Sequence, residues 1–253
     1  MNIITNFRDL GGIQNKHGKR LLQHRLFRSG ELSQLSPYQS QQLVQRYQVE
    51  KIIDFRSADE VRQRPDIAIA ETRHVHIDLL AEAQHKAQAS IAAFSQLDST
   101  ARTQEFMLAL YRELALSPAA QAGYRRFFLE LLASHAQKSV LFHCAAGKDR
   151  TGIAAMLILE TLEVPRTLIY QDYLQTNRMR SSENARLIAK AAAAGATPVQ
   201  QAAFRVALQV DKQYLQRFYT TVEQHYDTMA SYLQSVILID PASKQQLQRR
   251  YLY

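Results

Sequence analysis

The strongest signal in the 253-residue sequence lies in residues 143–152, which read His-Cys-Ala-Ala-Gly-Lys-Asp-Arg-Thr-Gly and hold the single cysteine, Cys144. Residues 139–142 before it are apolar and β-prone, and residues 152–162 after it are apolar and helix-prone. This pattern predicts a strand, an anion-binding loop and a helix. Backbone N–H groups at the helix start, together with Arg150, favour both a thiolate and a phosphate dianion. The loop therefore supplies a candidate nucleophile and a candidate substrate site.

The spacing between Cys144 and Arg150 adds to this interpretation. Five residues separate them, which lets the loop curl until the guanidinium faces the thiol. Arginine can then hold two oxygens of a phosphoryl group in a bidentate contact. The competing interpretation is a buried, inert cysteine, but it gives residues 147–150 no role.

Two other motifs are excluded. A nucleotide-binding P-loop needs a glycine where this chain has Phe142, and a serine or threonine where it has Asp149. A structural zinc site needs several Cys or His ligands at suitable spacing, and this chain has one cysteine. The sequence therefore implies neither a metal nor another cofactor.

The composition fits one enzyme domain spanning residues 1–253. No secretion leader and no unbroken apolar stretch of about 20 residues is visible, so we expect neither a signal peptide nor a membrane span. A reactive thiol works best under reducing conditions, and we expect a cytoplasmic location, with export without a visible signal peptide as the alternative. The formal net charge is +8, but the arginines are scattered, so we expect no nucleic-acid partner. Peripheral contact with an anionic membrane is a hypothesis.

The hydrophobic pattern predicts an α/β protein. We expect a helix over residues 37–47, short strands over residues 51–55 and 73–80, and helical structure over residues 106–132 with a break at Ser117-Pro118. A single long helix is expected over residues 165–194.

A further candidate group lies at the end of the strand over residues 51–55. Such strand ends build the sites of open α/β sheets, so Asp54 and Arg56 are expected to face the same crevice as Cys144. Ser57 and Glu60 form a capping-box pattern just beyond. Residues 81–103 are rich in Ala, Gln and Ser, which suggests a loosely packed helical lid.

Several segments together resemble one protein family. Residues 143–152 resemble the signature loop of the cysteine-dependent phosphatases, and the Gly-Lys-Asp-Arg variant resembles the atypical bacterial protein-tyrosine and phosphoinositide phosphatases of the mycobacterial PtpB type. Residues 6–12, 26–30, 53–57 and 172–177 match this family in order and spacing. The resemblance implies a cysteine-dependent phosphatase fold, with a central, mostly parallel sheet flanked by helices. It also implies helical covering elements, for which residues 178–210 are the candidate.

The resemblance implies a metal-independent phosphatase that hydrolyses phosphotyrosine through a phosphocysteine, with phosphoserine, phosphothreonine and phosphoinositides as further candidate substrates. Cys144 would be the nucleophile and Arg150 would hold the phosphoryl oxygens. The remaining substrate-binding candidates are Ala145, Ala146, Gly147, Lys148, Thr151 and Arg56. A phosphate- or phosphoinositide-binding module with little turnover is the alternative. A sulfur-transfer or arsenate-reducing enzyme is a third, although arsenate reduction normally needs further cysteines.

The proton donor for the leaving group is open at this point. Many tyrosine phosphatases use an Asp on a Trp-Pro-Asp loop, but this chain has no Trp. The resemblance implies Asp149 as the general acid, with Asp54 as its rival. It also implies that Lys148 contributes to recognition of a multiply phosphorylated ring. Lysine provides a point charge on a flexible stem, which suits a second phosphate.

Overall fold

A central β-sheet organises the computed structural model, which describes residues 4–81 and 99–253. Within those residues the sheet has five strands in the order β1-β2-β5-β3-β4. They are β1 (Arg8–Asp9), β2 (Leu26–Ser29), β3 (Val49–Asp54), β4 (Arg73–His76) and β5 (Ser139–His143). Only the pair β1 and β2 is antiparallel, and the other neighbours are parallel. The predicted α/β class with a mostly parallel sheet is confirmed.

Helices cover both faces of this sheet. In the described part of the chain they are α1 (Pro37–Gln45), α2 (Ala58–Gln63), α3 (Thr100–Leu116), α4 (Pro118–Leu132), α5 (Arg150–Thr161), α6 (Arg166–Met179), α7 (Ser181–Ala193), α8 (Pro198–Leu208), α9 (Lys212–Tyr226), α10 (Met229–Ser235) and α11 (Pro241–Tyr251). None of these helices is long and apolar enough to cross a membrane.

The central strand β5 shows why the sheet is buried on both sides. Val140 and Phe142 pack into the larger apolar cluster on one face, whereas Leu141 packs into the smaller cluster on the other. Side chains alternate along a strand, so consecutive apolar residues are needed when both faces are covered. In register, His143 lies beside both Asp54 and Ser29. The carboxyl ends of β2, β3 and β5 therefore meet at one edge of the sheet.

Some boundaries differ from the sequence expectation. The expected single helix over residues 165–194 is wrong, because the chain breaks at Arg180 between α6 and α7. Strand β3 begins two residues earlier than expected, and β4 ends at His76 rather than near residue 80. The break at Ser117-Pro118 is confirmed, with Ser117 ending α3 and capping α4. Of the expected lid over residues 81–103, residues 82–98 lie outside the described residues.

Candidate active site

The loop between β5 and α5 carries Cys144 and turns sharply at Gly147. Gly147 has φ of +65°, and a Cβ built on it would lie 2.2 Å from the carbonyl oxygen of Ser29. Both the left-handed backbone and the close approach of β2 therefore require glycine. The turn ends where α5 begins at Arg150.

The loop carbonyls are held from outside by donors on four other segments. The bonds are Glu31 N to Ala145 O at 3.1 Å, Arg180 Nη1 to Ala146 O at 3.0 Å, Asn6 Nδ2 to Gly147 O at 2.7 Å and Arg28 Nη2 to Gly147 O at 2.9 Å. Among the hydrogen bonds of residues 4–81 and 99–253, none has an N–H of residues 145–149 as donor. Since the carbonyls are bonded outward, these N–H groups are available to one anion, as in other helix-start anion sites.

A buried ion cluster supports the loop from behind. Asp172 in α6 accepts from Arg8 Nε at 2.7 Å and from Arg28 Nη1 at 2.6 Å. Burial raises the pKa of Asp172, but the two guanidinium groups hold it below its usual range. Arg28 and Asn6 both donate to Gly147, and Asn6 Oδ1 accepts from Arg8 Nη1 at 2.5 Å. The position of the loop therefore depends on α6 and on the first two strands.

Arg150 is held by Glu60 from α2. Its Nη1 and Nη2 donate to the Glu60 carboxylate at 2.5 and 2.9 Å, the bidentate geometry that fixes a guanidinium plane. Burial raises the pKa of Glu60, but Arg150 and the Ser57 cap together lower it to about 2. The stabilisation from this pair is therefore present above the ordinary glutamate pKa and is lost as the pH falls toward about 2.

Cys144 lies at the base of a cavity of about 350 Å³ and is 1 % exposed. The loop residues that line this cavity are Ala145, Ala146, Lys148, Asp149 and Arg150. The opposite wall comes from α3, α7 and α8, and includes Phe106, Met107, Leu110, Leu187, Lys190 and Leu208. The site thus combines apolar side chains of α3, α7 and α8 with the cations Lys148 and Arg150, a combination that suits an aromatic phosphate.

Asp149 and Lys148 pair at the mouth of the loop. Lys148 Nζ lies 2.9 and 2.8 Å from the two carboxylate oxygens of Asp149. Asp149 Oδ1 also accepts from the Tyr111 hydroxyl at 2.8 Å, and that hydroxyl lies 2.7 Å from the Tyr173 hydroxyl. Burial raises the pKa of Tyr111 well above its usual value, so Tyr111 stays a neutral donor. Asp149 is therefore fixed beside Cys144 by groups from α3 and from the loop itself.

Comparison with known proteins agrees with this geometry. The model of the tyrosine phosphatase family matches residues 1–253. This chain belongs to the tyrosine phosphatase family. It is 30 % identical over 250 residues to a Cupriavidus necator protein described as a tyrosine-protein phosphatase, covering 98 % of this chain and 86 % of that protein.

Further matches were found to the triple specificity protein phosphatase PtpB of Mycobacterium tuberculosis and to a solved structure. PtpB is 29 % identical over 255 residues, which cover 90 % of each chain. The solved structure is TpbA of Pseudomonas aeruginosa in complex with phosphotyrosine, at 17 % identity and a TM-score of 0.35, covering 75 % of this chain and 89 % of that chain. The alignments with the Cupriavidus necator protein and with PtpB thus cover nearly the whole of this tyrosine phosphatase.

Asp54 and Arg56 are not where the sequence placed them. Neither is among the described residues that line the Cys144 cavity. Arg56 Nη2 instead lies 2.7 Å from Asp54 Oδ2 and 2.8 Å from Asp66 Oδ1, inside the protein. The strand-end rule gave the correct edge of the sheet but could not give the direction of the side chains, and Arg56 lies inside the protein, where it pairs with Asp54 and Asp66.

His143 joins this buried group from the central strand. Its Nε2 lies 3.0 Å from Asp66 and its Nδ1 3.8 Å from Asp54. Burial lowers the pKa of His143, but the two carboxylates raise it above its ordinary value. The three groups lie within 4.8 Å of one another, a spacing that could hold a cation. Arg56 already bonds to both carboxylates, so the positive charge of this cluster is supplied by the protein.

Two roles stay predictions, namely Thr151 as a substrate-binding residue and residues 178–210 as a covering element. The Thr151 hydroxyl is fully buried and has no hydrogen-bond partner in the described part of the chain, so no described group uses its donor. Within the range 178–210, residues of α7 and α8 line the cavity. Both helices of the expected covering segment thus contribute to the cavity that Cys144 lines.

Replacing Gly147 by alanine tests the loop geometry. We expect the unfolding free energy to fall by about 2 kcal/mol or more, because a positive φ alone costs about 1 kcal/mol and the contact with Ser29 adds to it. A loop shift of this kind should also lower kcat/KM about 100-fold. Urea titration and steady-state kinetics measure both quantities.

Gly195→Ala is the matched control. Gly195 also has a positive φ, but nothing lies within 4 Å of its added Cβ. We expect this variant to lose about 1 kcal/mol of unfolding free energy and to keep its activity. Equal effects of the two substitutions on kcat/KM would show that the contact between Gly147 and Ser29 does not shape the site.

Proposed function

We propose that this chain hydrolyses phosphotyrosine in protein substrates through a phosphocysteine on Cys144. The observation that carries the proposal is the loop around Cys144, in which the carbonyls of Ala145, Ala146 and Gly147 are all bonded outward. Membership of the tyrosine phosphatase family supports the same reaction.

The chemistry has two displacements at phosphorus. The Cys144 thiolate attacks in line, so that a P–S bond forms while the bond from phosphorus to the tyrosyl oxygen breaks and its electron pair leaves with that oxygen. Arg150 and the N–H groups of residues 145–149 hold the equatorial oxygens as charge develops on them. Water then attacks phosphorus, the P–S bond breaks, and the thiolate and inorganic phosphate are released.

We assign the general acid to Asp149 rather than to Asp54. Asp149 lines the cavity above Cys144, whereas Asp54 is turned into the protein and bonded to Arg56. An incoming phosphate dianion competes for Lys148, and the carboxyl of Asp149 donates its proton to the tyrosyl oxygen as the bond from that oxygen to phosphorus breaks, which leaves Asp149 as a carboxylate. In the second step the same carboxylate would take a proton from the attacking water.

Asp149→Asn should lower kcat on a phosphotyrosine peptide by about 10²- to 10⁴-fold, the usual contribution of a positioned acid. It should also remove the fall of kcat at high pH, because that limb reports deprotonation of the acid. The check is a pH profile of kcat for both enzymes. The control is Asp54→Asn, whose pH profile of kcat should keep the basic limb of the wild type. A basic limb that survives in Asp149→Asn and vanishes in Asp54→Asn would reverse the assignment.

We propose that the substrate range extends beyond phosphotyrosine to phosphoserine, phosphothreonine and phosphoinositides. Lys148 supports this, because it is 5 % exposed and lines the cavity as a second cation beside Arg150. The relative PtpB is named a triple specificity phosphatase. A second fixed cation favours substrates that carry more than one negative group near the scissile phosphate.

The experiment is phosphate release from phosphotyrosine, phosphoserine and phosphothreonine peptides and from phosphoinositides in vesicles, with EDTA present. We expect turnover of the phosphotyrosine peptides. The ranking of kcat/KM over the other substrates measures how broad the specificity of the site is. Vesicle turnover that falls steeply with salt would support peripheral contact with anionic lipid. Tight phosphate binding without turnover on any substrate would contradict the proposal and favour a binding module.

A further inference from the structure

Arg180 differs from the other buried arginines of this protein. In the described residues five arginines are less than one tenth exposed, namely Arg8, Arg28, Arg56, Arg150 and Arg180. The first four each lie within hydrogen-bond distance of a carboxylate. Arg180 has no carboxylate oxygen within 4 Å in residues 4–81 and 99–253. A buried cation that contacts no carboxylate is costly, so the position of Arg180 needs an explanation.

The Arg180 side chain lies at the rim of the active-site loop. It is 4 % exposed, and its Nη1 donates to Ala146 O at 3.0 Å. Its Nε is buried and has no hydrogen-bond partner among the described residues. Burial lowers the pKa of Arg180, which reflects the cost of keeping the charge there. The guanidinium therefore has donor capacity left for an anion.

A second cleft of about 440 Å³ begins at this side chain. Arg180, Ala145 and Ala146 line both this cleft and the cavity above Cys144. Five further residues line both spaces as well, so the two spaces adjoin each other. A substrate chain that places its phosphotyrosine over Cys144 would lay a neighbouring residue in the second cleft.

The charges of the second cleft indicate what it binds. Its other two cations are already paired, Arg64 with Glu31 at 2.5 Å and Arg186 with Glu183 at 2.8 Å. Among the described residues that line the second cleft, Arg180 is thus the one cation that is not paired with a carboxylate. The net charge of the lining is a single positive charge, which matches one carboxylate better than a doubly charged phosphoryl group.

We propose that Arg180 is a specificity-determining residue that binds the side-chain carboxylate of an acidic residue next to the phosphotyrosine of a protein substrate. This inference rests on the proposed phosphotyrosine hydrolysis and names the sequence context that the site prefers. Its contact would be a charge-assisted hydrogen bond from the unpaired guanidinium.

The test uses matched phosphotyrosine peptides with Glu or Gln at each of the two positions on either side of the phosphotyrosine. The measured quantity is the ratio of kcat/KM for the Glu and Gln peptides in the same enzyme. Any general loss of activity from the contact of Arg180 with Ala146 cancels in this ratio. We expect a wild-type ratio of about 10 at one position, the size of one hydrogen bond to a charged group.

The variants are Arg180→Gln and Arg180→Lys, with Arg217→Gln as control. Arg217 is an exposed arginine of α9 that lines neither cavity. Arg180→Gln should bring the ratio to about 1, Arg180→Lys should restore part of it, and Arg217→Gln should leave it at the wild-type value. Thermal melting of each variant checks folding, and Arg180→Lys keeps the test open if Arg180→Gln unfolds.

Three results would overturn the inference. They are a wild-type ratio of 1 at every position, an unchanged ratio in Arg180→Gln, and a larger loss in Arg180→Gln on a soluble inositol bisphosphate than on the Glu peptide. The last would assign Arg180 to a second phosphoryl group. Para-nitrophenyl phosphate, which has no neighbouring residue, separately reports the basal reaction. If para-nitrophenyl phosphate is not hydrolysed, the proposed function fails. The preference for the Glu peptide over the Gln peptide can then still be measured, as the ratio of the dissociation constants of the two peptides for Cys144→Ser.

Discussion

Replacing Cys144 by serine is expected to lower kcat by about 10⁴-fold or more on every substrate, which is the scale seen when a covalent nucleophile is removed. Serine keeps the shape of the side chain, but its hydroxyl is not ionised in a site built for a thiolate. The outward-bonded carbonyls of the loop do not depend on the sulfur. Phosphate binding should therefore survive, and steady-state kinetics with a phosphate-dependent melting shift would check both.

The single cysteine makes a second check simple. Cys144 is the one cysteine that iodoacetamide can alkylate, so activity should fall in proportion to the label found on Cys144. Inorganic phosphate should slow this labelling because it occupies the loop above the thiol. Turnover of the serine variant at a rate close to wild type, with an unchanged melting temperature, would rule out Cys144 as the nucleophile.

Asp172→Asn is expected to lower the free energy of unfolding by about 3–5 kcal/mol, the usual cost of breaking a buried ion pair from one side. The amide leaves two buried guanidinium groups, those of Arg8 and Arg28, without a compensating charge. Against a total stability of about 5–15 kcal/mol this is a large fraction. Urea titration of both proteins measures the difference.

The effect of Asp172→Asn should depend on pH in a defined direction. The pKa of Asp172 is below its usual range in the folded protein. Its stabilisation is therefore present above the ordinary aspartate pKa and is lost as the pH falls through the folded value. The difference between the two proteins should shrink in acid. Glu183→Gln is the control, because the pair of Glu183 with Arg186 lies at the surface and contributes little to stability. Equal losses of unfolding free energy in the two variants would contradict the buried-cluster interpretation.

The sequence was sufficient where the signal is local. The strand, loop and helix around Cys144 follow from the apolar flanking segments and from the spacing of Cys144 and Arg150. The Ser57–Glu60 capping box is confirmed at the start of α2. Such features depend on residues a few positions apart, so their chemistry can be read directly from the chain.

Long-range partners could not be predicted in the same way. Glu60 was interpreted only as a cap residue, yet it also holds Arg150, 90 positions away. Arg28 and Asp172 lie in segments that match the family, but nothing local indicates that they meet across 144 positions. The break at Arg180 was missed because no Gly or Pro marks it in the sequence, and the contact with Ala146 that accompanies it is tertiary.

The most direct measurement is rapid acid quenching of the wild-type enzyme during turnover of a phosphotyrosine peptide, followed by mass spectrometry of the fragment that contains Cys144. The proposed mechanism predicts a transient added mass of one phosphoryl group on this fragment, formed before phosphate release reaches steady state and absent from Cys144→Ser. Full turnover with no phosphorylated fragment at any quench time, or with the phosphoryl group on another residue, would contradict it.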